Sequence, residues 1–260
     1  MALSTFLNKN NLFAATTLRN STRKEENNMG LHVAQDKDAV IENRESVAQY
    51  MQLPLHHFVF AHQTHTNHFQ LVTKADSGKG AFSMENAIAD TDALYTYETD
   101  VVLSSLTADC VPVLLYNEVT GLIAAIHSGW QGTVKEITPK ILKQLIQNEN
   151  NAPEDIHVIF GPSLSQTKFE VDEDVYKQFQ DLQYADHYSS FNTATGKYHI
   201  DNQAVVEKQC KLQGIKEENI LKDPTCTFQS EEHFSYREDK KTGRHMSFIV
   251  RKSNDGENSM

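Results

Sequence analysis

The chain has 260 residues, a formal net charge of −11 and 39% hydrophobic residues. That is long enough for one large domain with a sizeable core, and too acidic for a nonspecific nucleic-acid binder, which presents a basic face. The longest apolar runs, VPVLLY and GLIAAI, are far too short to cross a bilayer. MALSTFLNKNNLF has no basic n-region, long apolar core or cleavage site, and three irregularly spaced cysteines make no disulfide framework, so a reducing, cytoplasmic setting is expected.

In chain order, residues 19–30 (RNSTRKEENNMG) read as a polar loop. Residues 38–51 put Val40, Ile41, Val47 and Met51 at helical spacing. HFVFAHQTH predicts a strand ending near His65, and 93–97 and 100–106 predict two more. VPVLLY and GLIAAIH follow as strands joined by the turn from Asn117 to Gly121. The stripe Val134, Ile137, Ile141, Leu142, Leu145 and Ile146 predicts one helix from about Thr133 to Asn148. HVIFG is a buried strand, 172–181 and 202–213 are helices, and HMSFIVR is the last strand. The polar stretch 183–199 carries a turn signal at Thr195-Gly196. The alternation predicts a single mixed α/β layered domain over 1–250, with a frayed polar tail over 251–260.

Two segments stand out chemically. In Thr107-Ala108-Asp109-Cys110-Val111-Pro112 a thiol sits at a proline-marked break between apolar runs. In His127-Ser128-Gly129-Trp130-Gln131-Gly132-Thr133 a strand ends in histidine, a glycine-rich turn follows and a helix begins. Such a helix start favours an anion; the plain alternative is an ordinary turn with Thr133 as helix cap. A free cysteine such as Cys110 is commonly a small core residue, and Cys210 and Cys226 read as structural. His62, His65 and His68 cluster in AHQTHTNH, but a spacing of three in a strand sends them to opposite faces. No CxxC or HExxH pattern is present. Spacing alone therefore leaves a metal site open.

Taken together, QTH at 63–65, TADC at 107–110 and HSGWQGT at 127–133 resemble the motifs of the polyphenol oxidase laccase-domain family, members of which have been reassigned as purine nucleoside phosphorylases. TLRNSTRKEENNMGLHV with ENR at 42–44, ADTDAL at 89–94, GPSLSQTKFEV at 161–171 and FSYREDKKTGRHMSFI at 234–249 extend the resemblance over nearly the whole chain. It departs in having Thr66 after the histidine of QTH, where the family usually has glycine, and in lacking the usual Gly-Gly of the amino-terminal arginine loop.

The resemblance implies a fold similar to the cytotoxic necrotizing factor deamidases and one zinc ion on His65, Cys110 and His127, with copper as the other candidate metal. Three protein ligands leave a fourth place for water or substrate, as in catalytic zinc sites. The implied reaction is phosphorolysis of adenosine, inosine or methylthioadenosine to free base and a ribose 1-phosphate, with adenosine deamination as a further activity. Arg19, Arg44, Arg237 and Arg244 are the candidates for holding phosphate, Asp109 and Asp92 the candidate carboxylates. True multicopper oxidases resemble sets of paired His-X-His motifs, and this chain has none. The rival readings are a metal-free cysteine hydrolase or deamidase, with Cys110 as nucleophile and His127 as base, and a non-enzymatic binding protein stapled by zinc. Membrane and nucleic-acid partners are not expected; the oligomeric state, monomer or homodimer, is left open.

Overall fold

The computed structural model describes residues 2–253. In chain order the strands are β1 Leu3–Lys9, β2 Leu12–Thr17, β3 Phe58–Val59, β4 Phe69–Leu71, β5 Ala93–Thr96, β6 Val102–Thr107, β7 Val111–Asn117, β8 Leu122–Ser128, β9 His157–Phe160, β10 Glu170–Val171, β11 Ser189–Asn192, β12 Lys197–Ile200, β13 Ile220–Lys222 and β14 His245–Arg251. The α-helices are α1 Lys37–Met51, α2 Trp130–Val134, α3 Ile137–Gln147, α4 Glu173–Gln180 and α5 Asn202–Leu212. The strands form a five-stranded sheet in the order β1-β2-β14-β6-β3, a six-stranded sheet in the order β13-β9-β7-β8-β5-β4, and a small sheet β10-β12-β11. This is a mixed α/β architecture.

The residue alternation within each strand fixes the layers. Leu12 and Ala14 of β2 and Ile249 of β14 share one apolar cluster with Leu114 of β7 and Ile123 and Ala125 of β8, so the two large sheets face each other. The neighbouring residues point the other way. Phe13, Ala15, Phe248 and Val250 pack with Val47, Ala48 and Met51 of α1, while Val113, Leu115, Ala124 and Ile126 pack with Ile137, Ile141 and Leu142 of α3 and Val206 and Cys210 of α5. Both faces of the central strands are therefore covered, which is why VPVLLY and GLIAAI are continuously apolar rather than alternating with polar residues.

Local signals account for the helix ends. Asp36 caps α1 by accepting from the Ala39 N–H at 3.1 Å, and Gln52 ends it in the left-handed conformation. The helix expected over 133–148 is instead two helices. Glu136 is left-handed (φ 57°), so α2 stops at Val134 and α3 starts afresh at Ile137. Thr133 lies inside α2, where its hydroxyl bonds Ser128 Oγ and the Gly129 carbonyl, and Gly129 takes the cap position. The strand expected to reach His65 ends at Val59, with a single bridge from Ala61 to Ile88 beyond it. The stretch 183–199 contains the hairpin β11–β12, with Gly196 at its turn (φ 69°). At the carboxyl end Arg251 still belongs to β14, Lys252 and Ser253 bond Asn11 and Asp100, and the rest of the expected polar tail lies outside the described residues. Among the described residues no helix is long and apolar enough to cross a membrane.

Candidate metal centre and its cleft

The three motif segments meet where strands end. His127 sits near the end of β8, Cys110 in the turn between β6 and β7, and His65 in the loop after β3. Each offers one ligand atom, and the three atoms lie within 4.8 Å of one another, the one such group among the described residues. Cys110 Sγ is 3.8 Å from His65 Nε2, and the two imidazoles stand edge to face at 4.7 Å between centroids. His62 lines the cleft without joining the group, and His68 turns away to Asp90.

The surroundings hold these groups firmly. Asp92, at the start of β5 and fully buried, accepts from His127 Nδ1 at 2.7 Å. That bond leaves Nε2 of His127 for the centre and fixes the tautomer. The same carboxylate accepts the backbone N–H groups of Thr64, His65 and Thr66, and the Thr66 hydroxyl at 2.9 Å. One buried acid thus orients two of the three donors. Burial alone would raise its pKa, but the bonds from His127 and Thr66 outweigh it and pull it down to about 2. Thr66, the departure noted after QTH, supplies one of these bonds through its side chain, which glycine lacks. Gln63 secures the loop from the other side by pairing its amide with both backbone groups of Leu106.

Gly129 is required by space. A Cβ there would lie 2.8 Å from His65 Cδ2 and 2.9 Å from Cys110 Sγ. Cys110 itself is charged readily. Burial would raise its pKa, yet the field of His127 and hydrogen bonds from His127 and His65 bring it down to about 6. His127 moves the opposite way, to about 9: burial would lower it, but the Cys110 thiolate and Asp92 hold its proton.

The donor chemistry fits a metal. A thiolate and two imidazoles, one of them backed by a carboxylate, are what a three-protein-ligand zinc site uses. The three donor atoms, all within 4.8 Å of one another, are near enough to share one ion, and His65, Cys110 and His127 are the residues that would hold it.

The centre forms part of the floor of a cleft of about 840 Å³. Trp130, Leu164, Phe169, Val171 and Val175 make an apolar wall, and Tyr236, Arg237, Lys240 and Arg244 form a cationic rim that meets it where the Arg237 guanidinium lies 5.9 Å over the Phe169 ring. His32, Gln131 and Asn202 also face the cleft; the first two lie in blocks that carry the resemblance, without a role of their own, and nothing in the sequence context of Asn202 singled it out. Of the four arginines expected near phosphate, two are present here. Arg19 points elsewhere, paired with Glu26 at 2.9 Å and facing a separate pocket. Arg44 is fully buried on the inner side of α1, where its guanidinium bonds the carbonyls of Met29, Gly80 and Ala81 and lies 3.8 Å over the Phe60 ring. It has no free edge for a ligand. Asp109 lines the cleft, but its two oxygens accept from the Thr227 hydroxyl and the Arg237 N–H, both at 2.6 Å. These bonds hold a residue in a strained backbone conformation (φ 89°) and anchor the cysteine turn to the rim. Cys210 is core, and Cys226 is buried and accepts from the Ser165 N–H.

Residues 14–252 match the sequence model of the family described as "Multi-copper polyphenol oxidoreductase laccase". The chain belongs to this family. It is 40% identical over 225 residues to the protein of Bacillus subtilis named purine nucleoside phosphorylase YlmD, covering 85% of this chain and 81% of that one. The protein of the same name from Geobacillus stearothermophilus is 33% identical over 228 residues, covering 86% and 83%. In three dimensions the crystal structure of the Geobacillus stearothermophilus YlmD superposes with a TM-score of 0.88 at 30% identity, over 94% of this chain and 93% of that one. A Bacillus licheniformis hypothetical protein, YfiH, gives 0.91 at 32% identity, over 96% and 97%. The family description speaks of several coppers, whereas in this laccase-family chain the described residues bring together one three-donor group.

Proposed function

We propose that this chain is a metal-dependent purine nucleoside phosphorylase, with zinc on His65, Cys110 and His127. The observation that carries the reading is the three-donor group in the floor of a cleft with an aromatic wall and a cationic rim. The names of the Bacillus and Geobacillus relatives support the same reaction. A nucleoside needs a flat apolar surface for its base, which Trp130 and Phe169 offer. Phosphate needs positive charge, which the rim arginines supply. A phosphate oxygen attacks C1′ of the ribose, the bond from C1′ to the base nitrogen breaks, and the base leaves with that electron pair and takes up a proton. Bound metal would supply a Lewis acid for a substrate oxygen or lower the pKa of a bound water. Asp92 keeps His127 pointed at the centre throughout, and Asp109 holds the Cys110 turn to the rim. The apolar residues Leu164, Val171 and Val175 suit a thiomethyl group, so methylthioadenosine belongs in the substrate set.

Adenosine deamination is proposed as a lesser activity of the same centre, in which water adds to C6 and ammonia leaves. The carboxylate nearest in sequence to the ligands, Asp109, is already engaged with Thr227 and Arg237, which argues against efficient proton transfer by it.

A second reading rests on one observation. The lowered Cys110 and raised His127 form the charge pair of a metal-free cysteine hydrolase. That chemistry has no use for His65 at 3.8 Å from the thiol, and the metal reading does.

Incubating metal-loaded protein with adenosine or inosine, with and without phosphate, separates the readings. Base and ribose 1-phosphate that form only with phosphate support the phosphorylase. Free ribose without phosphate, or cleavage of amide substrates by metal-free protein, would replace it.

A further inference from the structure

Three sequence blocks that contribute no metal ligand converge behind the cleft. They are NNMG at 27–30, ENR at 42–44 and GRH at 243–245. Asn43 donates to the carbonyl of Asn28, and Arg44 donates twice to the carbonyl of Met29, through Nε at 2.9 Å and Nη2 at 2.6 Å. Helix α1 thereby sets the backbone of residues 28–30. Asn28, itself buried, accepts through one side-chain oxygen from the N–H of Gly30 and the N–H of Arg244, both at 2.8 Å. The Met29 N–H returns a bond to the Arg244 carbonyl. Gly30 then lies against the arginine stem, since a Cβ there would come within 2.8 Å of Arg244 Cγ. The Arg244 backbone is thus held on both sides, and its side chain runs along a surface that tolerates nothing larger than glycine.

The head group differs from the other cleft arginine. Arg244 is half-buried, and its Nη1 bonds two carbonyls of its own turn, Thr242 and Gly243. Among the described residues neither arginine pairs with a carboxylate, but Arg237 is exposed and tied to the Glu170 carbonyl. A desolvated guanidinium with donors left over, preset by a buried scaffold, binds an anion with little ordering cost.

We infer that Arg244 is the residue that takes the phosphate oxyanion, and that Arg44, Asn28 and Gly30 are positioning residues that aim it. The inference rests on the phosphorolysis reading for its meaning, but its test does not. Burial pushes the Arg44 pKa down to about 9, which leaves it charged at neutral pH, so its hold on the Met29 carbonyl persists under working conditions. Losing a charge-assisted bond to phosphate corresponds to roughly a tenfold or larger change in affinity.

Inorganic phosphate is titrated by calorimetry into the metal-loaded full chain and its variants. Arg244→Gln should weaken phosphate by about tenfold or more, and Arg237→Gln by less than that. Lys9→Gln, an exposed residue paired with Glu118 and absent from the cleft lining, should leave it unchanged. Gly30→Ala should weaken phosphate nearly as much as Arg244→Gln while metal content and melting temperature stay close to wild type, a pattern that a general loss of structure does not give. Gly30→Ala avoids the folding risk of removing Arg44. A larger loss in Arg237→Gln than in Arg244→Gln, wild-type affinity in Gly30→Ala, or a wild-type protein that takes up no phosphate would each overturn the assignment. Phosphate bound through Arg244 by a protein that cleaves no nucleoside would leave the assignment standing and remove the phosphorylase reading.

Discussion

The floor and the rim of the cleft are built on different principles. On the floor both histidines are backed by one buried acid: Asp92 collects bonds from His127 and the 64–66 loop, Gln63 locks that loop to Leu106, and Gly129 packs against His65 and Cys110 with no room for a Cβ. On the rim only Arg244 rests on a buried scaffold; Tyr236, Arg237 and Lys240 are exposed, and Arg237 is held by its N–H to Asp109 and its guanidinium to the Glu170 carbonyl. A metal site demands placement within a few tenths of an ångström, and only a fully bonded set of supports gives it. A substrate rim needs reach and tolerance. Floor substitutions should therefore abolish function, and rim substitutions should grade it.

The largest effect is expected from His65→Ala. It removes one of three donors, and turnover should fall by about 10³-fold or more together with metal content, read by steady-state kinetics alongside elemental analysis. Retained activity with two donors would erase the distinction between floor and rim. Arg44→Met tests the support behind the rim. It leaves the carbonyls of Met29, Gly80 and Ala81 unpaired in the core and should cost about 3 kcal/mol of stability in denaturant unfolding, with the metal retained. Gly129→Ala crowds His65 and Cys110 directly, and metal affinity should drop by about 10–100-fold in a competition titration while the fold survives.

Proton release sharpens the picture of the floor. Between about pH 6 and about pH 9 the metal-free pair holds a thiolate on Cys110 and a proton on His127, each charge stabilising the other. Metal needs thiolate and neutral imidazole, so binding in that window should expel one proton from the pair. Affinity should then rise with pH up to about 9 and fall faster below about pH 6, where a second proton must leave. Calorimetry in buffers of different ionisation enthalpy counts these protons. The smallest effect belongs to Tyr236→Ala on the rim. Losing one aromatic face of about 0.5–1.5 kcal/mol should raise the nucleoside KM by a few-fold and leave metal content alone.

Much of the floor was legible in the sequence. The apolar runs around TADC and before HSGWQGT fold as β6, β7 and β8 because continuous burial on both faces leaves no other pattern. The His65, Cys110 and His127 set came from resemblance, and the fold brings the three together. Asp92 was readable as a carboxylate for chemistry or for fixing loop geometry; that it does the second, and for which loop, was not, because its partners lie 26–35 residues away in sequence. Arg44 was misplaced for a related reason: arginine in a helix suggests a ligand-binding cation, and only the packing shows three carbonyls waiting for it. The break at Glu136 carries neither glycine nor proline, so a continuous apolar stripe concealed it. The β1–β2 hairpin turns at Asn10-Asn11, between apolar runs, with Asn10 in the left-handed conformation (φ 54°) that asparagine tolerates.

Every role proposed for the floor depends on a bound metal. Elemental analysis of purified wild-type protein and Cys110→Ala, with melting curves on both, is the decisive measurement. The prediction is close to one zinc per chain in the wild type and almost none in the variant, with both proteins folded and only the first cleaving nucleoside with phosphate. A wild-type protein that is folded and fully active with no bound metal would contradict the account.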